Sequence, residues 1–314
     1  METKQILHHE GARLCYWLSR AEGAERSLVM LHGVASNHTR WSEFVSHSTL
    51  AAKWNFLRPD LRGHGDSMFY GRISRSRWVA DLKAIMEHEA LPEVILLGHS
   101  LGAEIALDFT AAYPDSVAGL ILIDPVFHQN FHGALEWLRR LRLVFWLPIS
   151  LLWLANALGL RRRRDPPRDL YALDEKTRAT LRSSPGTKIA DLYINPLSDL
   201  SYIPLANYLQ DLLATVQPVP ELEAIDKPVL VLMSRGSSLS DRHLNEAQVR
   251  RMPNASIKIV DCDHWPLTEQ PEIVREIIDE WCEAQFHTGS RLPHKRPKGS
   301  ESLRPKGSGS FDFN

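Results

Sequence analysis

"LLGHSLGAEIA", residues 96–106, decides how the rest of the chain is read. The apolar run EVILL (93–97) reaches Gly98, passes through His99, Ser100, Leu101 and Gly102, and continues as small and apolar residues at helical spacing. A glycine two positions either side of a serine suits a turn too tight for side chains. Such a turn pushes the hydroxyl out of the backbone, while the next helix aims its free N–H groups and positive dipole end at the same point. That arrangement suits a nucleophile whose attack creates an oxyanion. The five-residue spacing is a moderate signal by itself, and its weight comes from the strand–turn–helix context. An ordinary Gly-rich turn is the blander alternative.

Working outward, apolar strand-like runs lie near 13–19, 27–31, 54–58, 93–97 and 117–123, with helical patterns near 77–90 and 101–113. Tyr113-Pro114 closes the second helix, because a proline disfavours helical backbone at the residue before it. After Asp124-Pro125 the pattern changes. Residues 125–218 are rich in Leu, Trp and Arg and read as helices and loops. Strand and helix alternation resumes at KPVLVLM (227–233), a helix near 242–252, SIKIV (256–260) and a helix at 271–283. Alternating strands and helices imply a mostly parallel sheet covered on both faces. The expected organisation is an α/β core over 1–124 and 219–286, a helical cap inserted at 125–218, and a low-complexity tail at 287–314 that repeats RPKGS. Such a tail buries too little apolar surface to offset its ordering entropy and is expected to be disordered.

The 314 residues carry a net charge of −1, which argues against a general binder of polyanions, nucleic acid included. Three widely spaced cysteines speak against a disulfide framework, and the polar N-terminus shows no secretory leader, so a cytoplasmic location is expected. No cluster with metal-ligand spacing is present, and neither a metal nor a cofactor is expected.

A serine hydroxyl is hardly ionised near neutrality and needs a base. Of 14 histidines, His264 in IVDCDHWPLTEQPE stands out, since it follows a strand by a short loop and precedes a helix near the end of the core. In this topology that loop shares the sheet edge of the serine turn. An oxyanion needs donors in place beforehand. LHGVASNH (31–38) sets His32-Gly33 directly after a strand, which makes the Val34 N–H the first candidate donor and the Leu101 N–H the second.

Together LHGVASNHTRW (31–41), RPDLRGHGDS (58–67), LLGHSLGAEIA (96–106), GLILIDP (119–125), KPVLVLM (227–233) and DHWPLTEQPE (263–272) resemble the α/β-hydrolase superfamily, in its order. The resemblance covers roughly residues 10–124 and 220–284 and is specific for fold, weakly so for substrate. It implies the α/β-hydrolase fold, a Ser–His–acid triad and an acyl-enzyme intermediate, with a variable cap roofing the site. It also implies an architectural role for Asp60, Arg62 and His64. The usual place for the acid, after PVLVLM, holds Ser237 and Ser238 instead. Two replacements stand: Asp124, at the end of LILID, and Asp241, which also suits a helix N-cap. Asp261 and Asp263 flank Cys262 beside the histidine, and Asp263 either adds a negative charge near it or points into solvent.

The leading expectation is a carboxylic ester hydrolase acting on a small lipophilic ester. Thioesterase, acyltransferase, lactonase and carbon–carbon hydrolase share the triad, and a degenerate hydrolase fold binding lipid or a partner is the non-enzyme alternative. Residues 143–160 lack any ionisable group, and eight arginines stand between 137 and 168 against the single acid Asp165. One reading is a pair of cap helices broken at Pro148. The other is that this segment also docks peripherally on an anionic membrane.

Overall fold

The computed structural model describes residues 2–24, 26–130, 134–160, 166, 168–184, 186–187, 189, 192, 196–236 and 241–286. Eight strands form one sheet: β1 (Thr3–His9), β2 (Ala12–Ser19), β3 (Ser27–Leu31), β4 (Asn55–Pro59), β5 (Val94–His99), β6 (Val117–Ile123), β7 (Val229–Ser234) and β8 (Ala255–Val260). Their spatial order is β1-β2-β4-β3-β5-β6-β7-β8. The pairs β1/β2 and β2/β4 are antiparallel, and every pair from β4 to β8 is parallel. The central strands β3, β5 and β7 are buried at every position, as expected when helices cover both faces. Alternate residues feed two cores. Val29, Leu31, Leu57 and Leu96 meet helices Arg75–His88 and Leu101–Ala112, whereas Leu28, Met30, Phe56 and Ile95 meet Trp41, Phe44 and helix Pro271–Phe286.

Strands β6 and β7 are neighbours, with Ile123 opposite Leu232 and the helical segment between them in sequence. Its described helices are Ala134–Arg140, Arg142–Ala157, Leu170–Ser183, Pro196–Asp199 and Leu205–Thr215. The tail at 287–314 lies outside the described residues.

The structure adds one strand and corrects one expectation. The N-terminal stretch is a strand, β1, joined to β2 by a two-residue turn in which Glu10 (φ 45°) and Gly11 (φ 71°) both take left-handed backbone. Its exposed edge position explains the polar composition that hides it. The apolar cap segment is not broken at Pro148, because helix Arg142–Ala157 runs through it and the interruption falls at Leu141. A proline inside a helix costs about 3 kcal/mol. Buried Ile149, with Phe145, Trp146 and Trp153 packed beside it against Leu213 and Val216, offsets that cost.

The two glycines around Ser100 are spacers for close backbone approach. A Cβ on Gly98 would fall closer than 3.0 Å to the backbone of Gly102 and Ala103, and one on Gly102 closer than 3.0 Å to the backbone of Leu31 and His32. The start of helix Leu101–Ala112 thus presses directly on the end of β3. Gly102→Ala is expected to lower the free energy of unfolding by at least about 3 kcal/mol, the upper end of ordinary overpacking, because backbone rather than a side chain must yield. A urea unfolding curve measures this, and an unchanged midpoint would mean that the elbow relaxes freely.

Candidate active site

Ser100 stands between β5 and helix Leu101–Ala112 with φ 52° and ψ −122°. A β-carbon residue in this left-handed region is strained and persists only where its surroundings impose it. Here the constraint is visible on both sides. The Ser100 N–H donates to Ile123 O at 3.0 Å, and helix bonding starts at once with Ala103 N–H donating to Ser100 O at 2.8 Å. The Ser100 side chain does not cap its own helix, so its hydroxyl is not committed there.

The His32-Gly33 turn adjoins this elbow. A Cβ on Gly33 would lie 3.4 Å from Ser100 Cβ and 3.2 Å from His99 O. His32 is fully buried and structural: its Nδ1 donates to Gly33 O at 2.9 Å and its Nε2 accepts the Leu61 N–H at 3.1 Å. Burial holds its pKa well below the ordinary value, so it stays neutral. Val34 follows in the turn. Leu101 opens the helix, where a backbone N–H has no intrahelical acceptor.

The loop after β8 brings His264 to the same edge. His99 Nε2 lies 3.4 Å from His264 O, and their rings are 5.7 Å apart. A carbonyl only accepts, so His99 carries its proton on Nε2. Burial depresses the His99 pKa to about 3, which keeps that ring neutral.

Asp124 directly follows β6, with φ 44°. Its Oδ2 lies 3.5 Å from His264 Nδ1, within ion-pair reach but longer than a good N–H···O bond, and both residues are buried. The carboxylate is held by Ser234 at the end of β7, whose N–H donates to Asp124 Oδ1 at 2.6 Å and whose hydroxyl donates to Oδ2. Asp241, the other candidate acid, is the N-cap of helix Arg242–Val249, accepting the Leu244 N–H at 3.0 Å. Ser237 and Ser238 lie outside the described residues.

Several supporting residues carry no signal in the sequence. Ser234 is one. Buried Arg40 is another: its Nη1 donates to Asp174 Oδ2 of helix Leu170–Ser183 at 2.6 Å and to Thr268 Oγ1 at 3.0 Å, tying the HG loop to the cap and to the helix after His264. Glu269 Oε1 accepts the Asp263 N–H at 2.9 Å, bracing the histidine loop, and burial lifts its carboxyl to about 7. The half-buried Asp263 carboxylate itself packs on Gly236. None of these has a local sequence signal, since each works through a partner dozens of residues away or through a backbone N–H.

The RPDLRGHGDS loop is held by its own charged residues. Asp60 accepts the backbone N–H groups of His38 and Asp66, each at 2.7 Å. Fully buried Arg62 donates to Asp81 at 2.8 Å. His64 Nε2 sits 2.7 Å from Asp211 Oδ2, on cap helix Leu205–Thr215, with both side chains buried. Burial alone would lower the His64 pKa, but the Asp211 charge and hydrogen bond raise it above the ordinary value. A cavity of about 480 Å³ opens beside the HG turn, lined by Ala35, Ser36, His38, Asp60, Arg168 and Tyr202 among others, and neither Ser100 nor His264 lines it. His264, Asp124 and Ser234 share a much smaller recess of about 20 Å³. The three cysteines are buried unpaired thiols.

A family model described as "Alpha/beta hydrolase family" matches residues 28–277. An uncharacterized protein of Mycobacterium bovis is 32% identical over 108 residues, 33% of this chain and 30% of that protein. Lipase LipV of Mycobacterium tuberculosis is 32% identical over 98 residues, 31% of this chain and 36% of the lipase. The chain thus matches only about a third of the length of these curated relatives. A thermophilic esterase from Thermogutta terrifontis superposes with a TM-score of 0.63 at 23% identity, over 91% of this chain and 99% of the esterase, a likeness of fold.

Proposed function

This chain belongs to the alpha/beta hydrolase family, and we propose that it is a serine hydrolase cleaving a carboxylic ester of a lipophilic substrate. The observation that carries the proposal is the strained Ser100 at the elbow, flanked by the HG turn and by the paired His264 and Asp124. His264 Nε2 takes the proton as Ser100 Oγ attacks the ester carbonyl. The N–H groups of Val34 and Leu101 receive the oxyanion, and the helix behind Leu101 adds its positive dipole end. Protonated His264 then gives its proton to the departing alcohol oxygen, leaving the acyl group on Ser100. Water, deprotonated by His264, attacks that acyl carbon and releases the acid. Asp124 faces Nδ1 throughout, keeping the proton there and stabilising the imidazolium.

A lipophilic substrate is favoured by the apolar cluster of Val126, Leu138, Ile149, Leu213 and Val216 in the cap, beginning two residues beyond Asp124. The test is hydrolysis of p-nitrophenyl esters from acetate to palmitate, with covalent labelling by a fluorophosphonate. The expected result is labelling at Ser100 and a kcat/KM that rises with acyl length. Labelling with turnover of acyl thioesters but not of oxygen esters would make the protein a thioesterase. Neither labelling nor turnover would leave a binding module.

A further inference from the structure

Helix Arg142–Ala157 is apolar on two opposite sides, and only one of them is covered. Ile149 is buried, and Phe145, Trp146 and Trp153 pack inward beside it. The other side faces solvent: Leu143 is 79% exposed and Leu147 67%, and Val144, Leu151, Leu154 and Leu158 are each more than half exposed. Trp137, on the preceding helix Ala134–Arg140, is 63% exposed. Scattered exposed leucines are ordinary on a protein surface, but a continuous face of this kind marks an interaction site.

Its rim is cationic. Arg140 and Arg142 are exposed at the helix start, with the Arg140 guanidinium 5.9 Å from the Trp137 ring. Exposed Arg72 lies 5.3 Å from the Trp146 ring. An open groove of about 520 Å³ between Met68, Phe69, Tyr70, Arg72, Trp153 and Asn156 borders the covered side of the helix, where Trp153 packs. In the sequence, four more arginines (161–164) follow Leu160, so the run is bracketed by positive charge at both ends.

We infer that this face docks on an anionic lipid bilayer, with the leucines and Trp137 entering the acyl boundary and the arginines meeting headgroup phosphates. Charge complementarity selects this occupant. A second copy paired in parallel would set Arg140 and Arg142 against their own counterparts, whereas lipid phosphates neutralise them. The helix lies in the interface rather than spanning it: sixteen residues reach about 24 Å, short of a hydrocarbon core of about 30 Å. Among the described residues no helix is long and apolar enough to cross a membrane. Apolar side chains on one face with arginine at the rim are what in-plane insertion to about 5–10 Å requires.

The inference does not rest on ester hydrolysis, because binding is measured without turnover. The full chain is sedimented with vesicles of phosphatidylcholine alone, and with vesicles of equal parts phosphatidylcholine and phosphatidylglycerol, at about 0.1 M salt. Binding is expected to the anionic vesicles, weakening as salt rises. Arg140→Gln with Arg142→Gln should weaken it about 25-fold, from the usual contribution of each juxtamembrane cation. Leu147→Glu with Leu151→Glu should abolish it while leaving the far-UV circular dichroism unchanged, since both side chains face solvent. Three results would overturn the inference: no sedimentation with anionic vesicles, undiminished binding by the leucine variant, or a wild-type dimer in solution that the leucine variant dissolves.

Discussion

Ser100→Ala is expected to lower ester turnover by about 10⁶-fold, the scale on which serine hydrolases lose kcat with their nucleophile. The structure makes this a clean experiment. Alanine has the same Cβ as serine, so it inherits the strained φ of 52° without adding to it. The serine side chain makes no cap bond to its own helix, so no structural hydrogen bond of that kind is lost. Stability and KM should stay near wild type while kcat collapses and fluorophosphonate labelling disappears. A variant that keeps activity within about tenfold of wild type would move the nucleophile elsewhere, since that is far less than any nucleophile deletion costs.

Asp124→Asn is expected to lower kcat by about 10⁴-fold, and Asp241→Asn to leave it unchanged. The first substitution keeps size and tolerates the left-handed backbone at φ 44°, which asparagine adopts more readily than most residues. Its carbonyl oxygen can still accept the Ser234 N–H that Asp124 Oδ1 accepts now. What changes is the atom facing His264 Nδ1: an amide N–H there favours the tautomer with its proton on Nε2, which cannot act as the base. At position 241 the side chain caps a helix by accepting the Leu244 N–H, a task asparagine performs as well as aspartate. Steady-state kinetics of the two variants side by side would decide between the acids. Equal and full activity of Asp124→Asn would remove this carboxylate from the mechanism.

The elbow, the parallel strands and the late histidine were legible in the sequence because each is local. A buried parallel strand is an unbroken apolar run, and the turn at Ser100 needs glycines at fixed spacing. Which of Asp124 and Asp241 lies beside His264 is not legible in the sequence, because it depends on how β6 and β7 end side by side. Ser234 secures Asp124 only through that register, across 110 positions of chain. The strand at Thr3–His9 was hidden by polar residues that an exposed edge permits. Pro148 misled for the opposite reason: a local helix breaker was overruled by packing around Ile149 that no window of sequence displays. The apolar content of 143–160 was plain, but which leucines face outward depends on where the cap helix meets Leu213 and Val216.

The late return of the chain to its sheet also orders events during synthesis. Strand β6 pairs with β5 on one side and with β7 on the other. As the polypeptide leaves the ribosome, VAGLILI is available long before Val229–Ser234 exists. At about 5–20 residues per second, the wait between Asp124 and His264 is roughly seven seconds to half a minute. For most of that interval, until β7 is made, the nascent chain carries an apolar strand edge without a neighbour, and throughout it Ser100 stands without His264. Such an edge is a template for pairing with other chains, so the same arrangement that brings His264 to the sheet edge of Ser100 only after the last strand is made leaves the half-made protein dependent on its early cap helices, or on a chaperone, for protection.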